Sequence, residues 1–426
     1  MHSAVGSEPF AARGDGTDGL PEGCRPVRRR PDASACPTAG SRVPGGAVRT
    51  SARLLAPAWF SRGVDSLGHD APFPGYPGDA ADRRRWAESA PRAMPQLPPG
   101  LETAPLMYLD QKVWIALLKG EGPDLEESVH LRDAVNRGSV TVALSSTHYA
   151  ETWNRGNWES RWALARLIWD TTRLIALPPM HKLTHGEIAD ALRLFGVDAP
   201  GALAGDVGIG RGVNFAYGSS TGRLIHVDDD GQERPWSELP DVVRQVHGLG
   251  ATYEWLSLAG MPFDMRADGL EVSSRPAGLR FAARESSLAR ALGGRRGADR
   301  GRPLVVDALR GIEEEIAEVC LASNVDSRAF LLWLFEDDQQ RARQFLDGMT
   351  SYGTYQHLRR LRHDNPQKKW EGNDRQDLLG LAVALTSCDV VVTEKYWSHV
   401  AGRLGFDRDG PPRIYNSLKA ALEGVC

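Results

Sequence analysis

A set of short apolar runs, each next to a segment with helical spacing, constrains the fold of this 426-residue chain most strongly. The runs are LMYL at 106–109, VTVAL at 140–144 and DVVVT at 389–393. Short runs rich in apolar and β-branched residues are typical of buried strands, and strands that alternate with helices predict a mostly parallel sheet covered on both faces. We therefore expect an α/β protein with three layers: helices, a central sheet and helices.

Helical patterns lie between these strands. Apolar positions at helical spacing predict one helix in QKVWIALLKG, closed by Gly120, and another in DLEESVHLRDAVNRG. Ser145 or Ser146 is suited to cap the helix that follows the second strand, because its first N–H groups need acceptors.

A tryptophan-rich segment, WESRWALARLIWDTTRLIAL, comes next. Its spacing predicts an amphipathic helix that continues to the helix-stopping Pro178 and Pro179. Tryptophan can stack on nucleic-acid bases, but this spacing favours burial in a core. The tryptophans concerned are Trp153, Trp158, Trp162 and Trp169.

The first hundred residues differ in composition from the rest. They are rich in Gly, Pro, Ala and Arg, and the first lysine of the chain is Lys112. Such a segment cannot bury enough apolar surface to offset chain entropy, so we predict that residues 1–100 are disordered. An over-extended translation start, with the true start at Met94 or Met107, would account for the same composition. After residue 100 we predict a first part of the core at 101–180, a largely helical insertion at 181–325 and a second part of the core at 326–426.

Hydropathy and cysteine content indicate a soluble, cytoplasmic protein without a membrane partner. No apolar stretch reaches the ~18 to 20 residues that a membrane span requires, and no signal-peptide pattern opens the chain. The five cysteines are widely spread and include no CxxC pair, which predicts neither a disulfide framework nor a zinc site.

Acidic residues stand where the predicted strands meet helices. Asp110 follows the first strand, and Glu151 lies early in the helix after the second strand. Asp377 lies at the start of the helix before the third strand, and Glu394 follows that strand. In a parallel sheet the carboxyl ends of the strands and the neighbouring helices line one crevice, so these residues can converge. Carboxylates are the ligands that hard cations such as Mg²⁺ prefer, so the acids predict a metal-dependent phosphodiester hydrolase.

Positive charge is concentrated in RRLRHDNPQKKW, which ends shortly before Asp377. The net charge of −4 gives no overall attraction to nucleic acid. A solvated helix end with a proline-marked loop is one interpretation of the run, and a phosphate-binding strip beside the acids is the other. The candidate substrate-binding residues are Arg359, Arg360, Arg362, Lys368 and Lys369.

Three segments together resemble the PIN-domain nucleases. LMYLDQKVWIALL is similar to the family's first strand and first acid, and LSSTHYAE to the strand-to-helix passage that carries a further acid. DLLGLAVALTSCDVVVTE is similar to the helix that begins with Asp and the strand that ends in Thr. The resemblance covers roughly 104–178 and 365–417. It departs at Lys395, since many members have their last acid there and this chain has Glu394 one position earlier.

The resemblance implies a PIN-like fold and a Mg²⁺- or Mn²⁺-dependent endoribonuclease that hydrolyses single-stranded RNA. RNA is implied by the resemblance alone, and a cognate inhibitor protein stays open as a second partner. We expect Asp110 and Asp377 to be the main metal ligands, with Glu151 binding directly or through a water. Thr393 would orient a carboxylate or a water, and Glu394 would complete the outer shell. Asp374 is a reserve ligand.

Each acid also has a purely structural interpretation. Asp110 could cap the helix that follows it, Asp377 and Glu394 could interact with helix dipoles, and Glu151 could be solvated. His148 is suited to a packing or capping role. Two other functions therefore stay open, a PIN-like module that binds RNA or protein without cutting and another acid-dependent phosphohydrolase.

Overall fold

The computed structural model of the protein describes residues 91, 93–120, 123–155, 157–197, 199, 208–218, 226–227, 233–234, 250–260, 274–293, 295, 297–365, 367–406 and 410–425. The disorder predicted for residues 1–100 falls almost entirely outside these ranges.

Short strands and longer helices follow one another along the described chain. The strands are β1 Leu106–Leu109, β2 Thr141–Ala143, β3 Ile175–Ala176, β4 Gly210–Arg211, β5 His226–Val227, β6 Glu233–Arg234, β7 Val390–Val392 and β8 Arg413–Tyr415. The helices are α1 Gln111–Lys119, α2 Pro123–Asn136, α3 Ser146–Trp153, α4 Trp158–Thr172, α5 Met180–Leu194, α6 Gly212–Ala216, α7 Ala251–Ala259, α8 Ser274–Ala291, α9 Gly297–Arg310, α10 Glu313–Ala322, α11 Ser327–Leu334, α12 Gln340–Asp347, α13 Thr350–His363, α14 Asp374–Ser387, α15 Lys395–Arg403 and α16 Leu418–Val425.

Four parallel strands form the main sheet, in the order β2-β1-β7-β8. In the register, Met107 of β1 lies beside Val142 of β2 on one side and Val390 of β7 on the other. Parallel strands cannot be joined by a tight turn, so each of these connections contains helices. The α/β class and the parallel sheet predicted from the sequence are confirmed, and most of the described residues lie in helices.

Hydrophobic cores lie on both faces of this sheet. Met107 and Leu109 contribute to one core, with residues of α1, α2, α4, α7 and α16, and Trp162 and Trp169 are buried there. Tyr108 contributes to the other core, with residues of α13, α14 and α15. Successive side chains of a strand point to opposite faces, which is why an almost wholly apolar β1 can serve both cores. The burial predicted for the tryptophans is confirmed at these two positions.

A third core is formed mainly by helices. It contains residues of α5, α9, α10, α11, α12 and α13. The helices that build it lie on both sides of residue 325 in the sequence, so its packing continues across that position. None of the helices within the described ranges combines the length and apolarity that crossing a membrane requires.

Two predicted helix boundaries in the first part of the core, the end of α1 and the start of α3, agree with the structure. Gly120 is the C-cap of α1 with φ 58°, a left-handed conformation that glycine adopts without strain. Ser145 is the N-cap of α3, where its side chain and that of His148 form a capping box. The end of α4 was predicted wrongly, because the helix stops at Thr172 and not at Pro178. Arg173 is left-handed, and β3 then forms with a parallel bridge between Leu144 and Ala176.

Candidate active site

Residues from four elements line one cavity at the carboxyl end of β1. They come from β1, from α1 and its N-cap, from α3 and from α14. The lining residues are Tyr108, Asp110, Gln111, Thr147, Glu151, Gln376, Asp377 and Leu381. We call this site the acidic cavity, and it brings together three of the acids selected from the sequence.

Asp110 is fixed through both oxygens of its carboxylate. It is the N-cap of α1, and its Oδ1 accepts a hydrogen bond from the backbone N–H of Lys112 at 3.1 Å. Its Oδ2 accepts a hydrogen bond from Oγ1 of Thr393 at 2.7 Å. Leu109 and Val392 are partners in the parallel register, so Asp110 and Thr393 follow adjacent strand ends. Burial raises the pKa of Asp110, and the two hydrogen bonds oppose this rise.

Asp377 faces the cavity from the first turn of α14. Its Oδ2 accepts a hydrogen bond from Nε1 of the buried Trp397 at 3.3 Å. Burial raises the pKa of Asp377 to about 7, and the negative charge of Asp110 contributes to the rise.

Glu151, which lies on α3, is the third acid of the group. Burial raises the pKa of its carboxyl well above the ordinary value, and the charges of Asp377 and Asp110 add to this effect. The carboxylate forms no ion pair with a cationic side chain of the described residues. The charge of Asp110 thus raises the pKa of both other acids, so the group interacts electrostatically and forms a site that favours positive charge.

Glu394 lies at the edge of the site and does not line the cavity. It is the N-cap of α15, and its carboxylate is 3.2 Å from Nζ of the exposed Lys112. Its negative charge still raises the pKa of both Asp110 and Asp377. The structure therefore places Glu394 outside the group of three acids.

The predicted substrate-binding role has to be corrected for Arg359 and Arg362, because both guanidinium groups are buried in ion pairs. Arg359 pairs with Glu285 at 2.8 Å and with Asp307 at 2.6 Å. Arg362 has no exposed side-chain surface and pairs with the reserve ligand, Asp374, at 3.0 Å. A buried and fully paired guanidinium is not available to a phosphate. We refer to Glu285, Asp307, Arg359 and His363 as the arginine network, in which His363 contacts Glu285 at 2.8 Å.

The other three basic residues keep access to solvent. Arg360 and Lys369 are exposed, and Lys368 is partly buried. Nζ of Lys368 lies 4.0 Å from the ring centroid of Tyr396 and 5.5 Å from that of Trp397, the residue that donates to Asp377. Lys368 therefore carries positive charge beside the indole ring that donates a hydrogen bond to Asp377.

Five lining residues were not selected from the sequence: the apolar Leu381 and the polar Tyr108, Gln111, Thr147 and Gln376. Gln111 and Gln376 each stand next to a selected acid, and this adjacency was the only signal that could have identified them. The phenol of Tyr108 approaches α14 at Gly380, where a Cβ would lie 2.6 Å from the Tyr108 hydroxyl and 2.9 Å from Oγ1 of Thr147. A glycine is therefore required for α14 to pack this closely.

His148 connects α3 to the end of β1. Its Nδ1 accepts a hydrogen bond from the backbone N–H of Ser145 at 3.0 Å, and its Nε2–H donates to the carbonyl of Leu109 at 2.7 Å. Burial lowers the pKa of this fully buried imidazole to about 4, so the ring is neutral at physiological pH. The packing and capping role expected for His148 is observed, and it fixes the residue that precedes Asp110.

The donor set of the acidic cavity fits a hard cation. The ligand atoms on offer are oxygens of carboxylates, hydroxyls and amides, which are the ligands that Mg²⁺ and Mn²⁺ accept. Oε1 of Gln111 and Oε1 of Gln376 are buried and have no hydrogen-bond partner. Across the described ranges, no group of three or more His, Cys, Asp and Glu side chains is placed so that it could hold a metal ion by itself.

Comparisons of the chain with protein-family models, with curated proteins and with solved structures give no match. They assign no family, so the function has to be inferred from the residues of the site.

Proposed function

We propose that the protein is a Mg²⁺- or Mn²⁺-dependent nuclease with a PIN-like fold that hydrolyses phosphodiester bonds of single-stranded RNA. One observation carries the proposal: three acids from separate elements line one cavity at the end of a central parallel strand, where the charge of Asp110 raises the pKa of Asp377 and the charges of both raise that of Glu151. Ionisable groups with strongly shifted pKa values in one cavity are typical of functional sites. The arrangement of strand, acid and helix at β1 and at β7 supports a PIN-like layout.

The acids would have distinct tasks in hydrolysis. Asp110, Glu151 and Asp377 would hold the cation, which when bound supplies activation of a water and neutralisation of charge on the attacked phosphate. Asp110 is positioned for this task by Thr393 and by the first turn of α1. Asp377 is positioned by the indole N–H of Trp397. Binding of the cation would favour the ionised form of each acid, because positive charge stabilises a carboxylate.

Positive charge near the cavity supports a polyanionic substrate. Lys368 lies on the Tyr396 ring beside Trp397, and Arg360 and Lys369 are exposed in the same part of the chain. Cationic side chains contact phosphates along a nucleic-acid backbone without reading its sequence. The choice of RNA over DNA rests on the resemblance to PIN domains.

The proposal is tested by Mn²⁺-dependent cleavage of a single-stranded RNA. Asp110→Asn should reduce the rate about 100-fold or more, the scale for losing one electrostatic contribution to a transition state. Asp133→Asn is the matched control, because Asp133 is an exposed acid on α2. Equal rates for the wild type and Asp110→Asn, at equal folding by circular dichroism, would exclude catalysis at this site.

A binding module that does not cut is the second candidate. It is favoured by two contacts, since both oxygens of Asp110 already accept hydrogen bonds and Glu394 is paired with Lys112. This candidate predicts RNA binding without cleavage and without heat on titration with Mn²⁺. A small phosphomonoester assayed beside the RNA separates a nuclease from another phosphohydrolase.

A further inference from the structure

We infer that the side-chain carbonyl oxygens of Gln111 and Gln376 are ligands, directly or through water, of the divalent cation of the acidic cavity. This inference rests on the proposed function and adds neutral ligands to its carboxylates. Both glutamines line the cavity, and their residues are 8% and 6% exposed.

The amide of Gln111 is held in one orientation by α3. Its Nε2–H donates a hydrogen bond to Oγ1 of Thr152 at 3.3 Å, and Thr152 is completely buried. With the nitrogen engaged there, Oε1 is left buried without a hydrogen-bond partner. A buried acceptor without a partner is unfavourable, and a cation or a water bound in the cavity would offset this cost.

Gln376, in the first turn of α14, also lines the cavity. Its Oε1 is also buried and has no hydrogen-bond partner. The neighbouring Asp377 and Glu151 carboxylates are acceptors when ionised and cannot satisfy another acceptor. A divalent cation can bind the carboxylates and both amide oxygens, either directly or through a water that the cation holds.

Amide oxygens suit a site that already holds three acids. In the metal-free protein a fourth or fifth carboxylate would add repulsion, whereas a neutral carbonyl adds an oxygen ligand without negative charge. Carbonyl oxygens of Asn and Gln are accepted by hard divalent cations, and soft metals prefer sulfur. The ligand class is therefore a hard divalent cation, and MnCl₂ and MgCl₂ are suitable probes.

The first test is calorimetric titration of the whole chain with MnCl₂. Gln111→Met and Gln376→Met keep the length of the side chain and remove its oxygen. Each should weaken Mn²⁺ binding roughly 10-fold or more, the scale for removing groups that support a metal site. Gln344→Met is the matched control, because Gln344 is an exposed glutamine on α12, and its Kd should equal that of the wild type.

The melting temperature without metal shows whether each variant folds. Gln111→Glu and Gln376→Glu keep the test decisive if a methionine variant does not fold. A carboxylate oxygen in place of an amide oxygen should bind Mn²⁺ at least as tightly as the wild type does. A loss of tenfold or more in both glutamate variants would mean that the amide N–H groups face the cavity, and would overturn the inference.

The outcomes separate this inference from the proposed function. Mn²⁺ binding and RNA cleavage by the wild type, with unchanged Kd in both folded methionine variants, would overturn only the role of the glutamines. A wild-type chain that neither binds Mn²⁺ or Mg²⁺ nor cleaves RNA would overturn both.

Discussion

The acidic cavity and the arginine network are both groups of buried charges, but they differ in how those charges are balanced. In the network, Arg359 contacts Glu285 and Asp307 directly. In the cavity, Glu151 and Asp377 have no ion pair with any cationic side chain in the described ranges, and acid lies next to acid.

The pKa values follow this difference. Burial by itself raises the pKa of Glu285, but hydrogen bonds from His363 and Arg359 outweigh it and lower the pKa. In the acidic cavity burial and neighbouring charge act in the same direction, and the pKa of Asp377 rises to about 7. Buried acids that are paired within the protein contribute to structure, whereas buried acids that are crowded together indicate a site for an external cation.

The largest effect on stability is expected when the guanidinium of Arg359, the central cation of the network, is removed. Arg359→Leu should destabilise the protein by about 3 to 5 kcal/mol, because Glu285 would remain buried without its main partner. Unfolding in urea measures the effect. Arg360→Leu on the same helix is the control, since Arg360 is exposed and its loss should cost less than about 0.5 kcal/mol. Equal stability of both variants would contradict a structural role for the network.

Removal of a charge from the acidic cavity should stabilise the protein, whereas Arg359→Leu should destabilise it. The pKa of Asp377 is near 7 in the folded protein and ordinary when unfolded, so the folded state holds the extra proton between about pH 4 and 7. Stability without metal should therefore fall as the pH rises through this range. Asp377→Asn should raise the melting temperature at pH 7.5 in EDTA by roughly 5 °C, if the effect amounts to about 2 kcal/mol.

Thermal unfolding of both proteins at pH 5 and at pH 7.5 checks this expectation. The melting temperature of Asp377→Asn should depend less on pH than that of the wild type. If both proteins respond to pH in the same way, Asp377 does not carry a raised pKa.

A smaller effect is expected at the contact that brings α14 to the cavity. Gly380→Ala should cost about 1 to 3 kcal/mol through overpacking, because the new methyl group would meet the Tyr108 hydroxyl. Gly402→Ala is the control, since a Cβ at this helical position meets no atom within 4 Å. Urea unfolding compares the two. Unchanged stability of Gly380→Ala would show that Tyr108 can move away without cost.

The smallest effect is expected for binding of the RNA substrate. Lys368→Ala should weaken RNA binding and reduce by about 1 the slope of log K against log salt concentration, as expected for the loss of one phosphate contact. Lys419→Ala should leave both quantities unchanged, because Lys419 is exposed on α16, away from the cavity lining. Fluorescence anisotropy at several salt concentrations measures the slope. An unchanged slope for Lys368→Ala would remove it from the substrate path.

Local patterns predicted much of the fold around the site. β1 and α1 were recognisable because an apolar run, an Asp cap and a closing glycine are neighbours in sequence. The capping box of Ser145 and His148 is local in the same way. The end of α4 was missed because Ile175 and Ala176 fit a helical pattern equally well, and their pairing with β4 and Leu144 is a tertiary contact.

The burial of charged residues could not be predicted from the local sequence. Arg359 and Arg360 are neighbours in one basic run, and nothing in their local sequence separates them. One is buried and the other is exposed, because the partner of Arg359, Glu285, lies 74 residues earlier in the chain.

The sequence by itself determined the elements that carry Asp110, Glu151 and Asp377, since helix and strand periodicity, caps and turns depend on residues close together in the chain. Only the tertiary structure decided which buried charges are neutralised and which face one another. Pairing and burial depend on atoms that meet across the fold, and the same basic run can provide a structural ion pair at one residue and a solvent-exposed cation at the next.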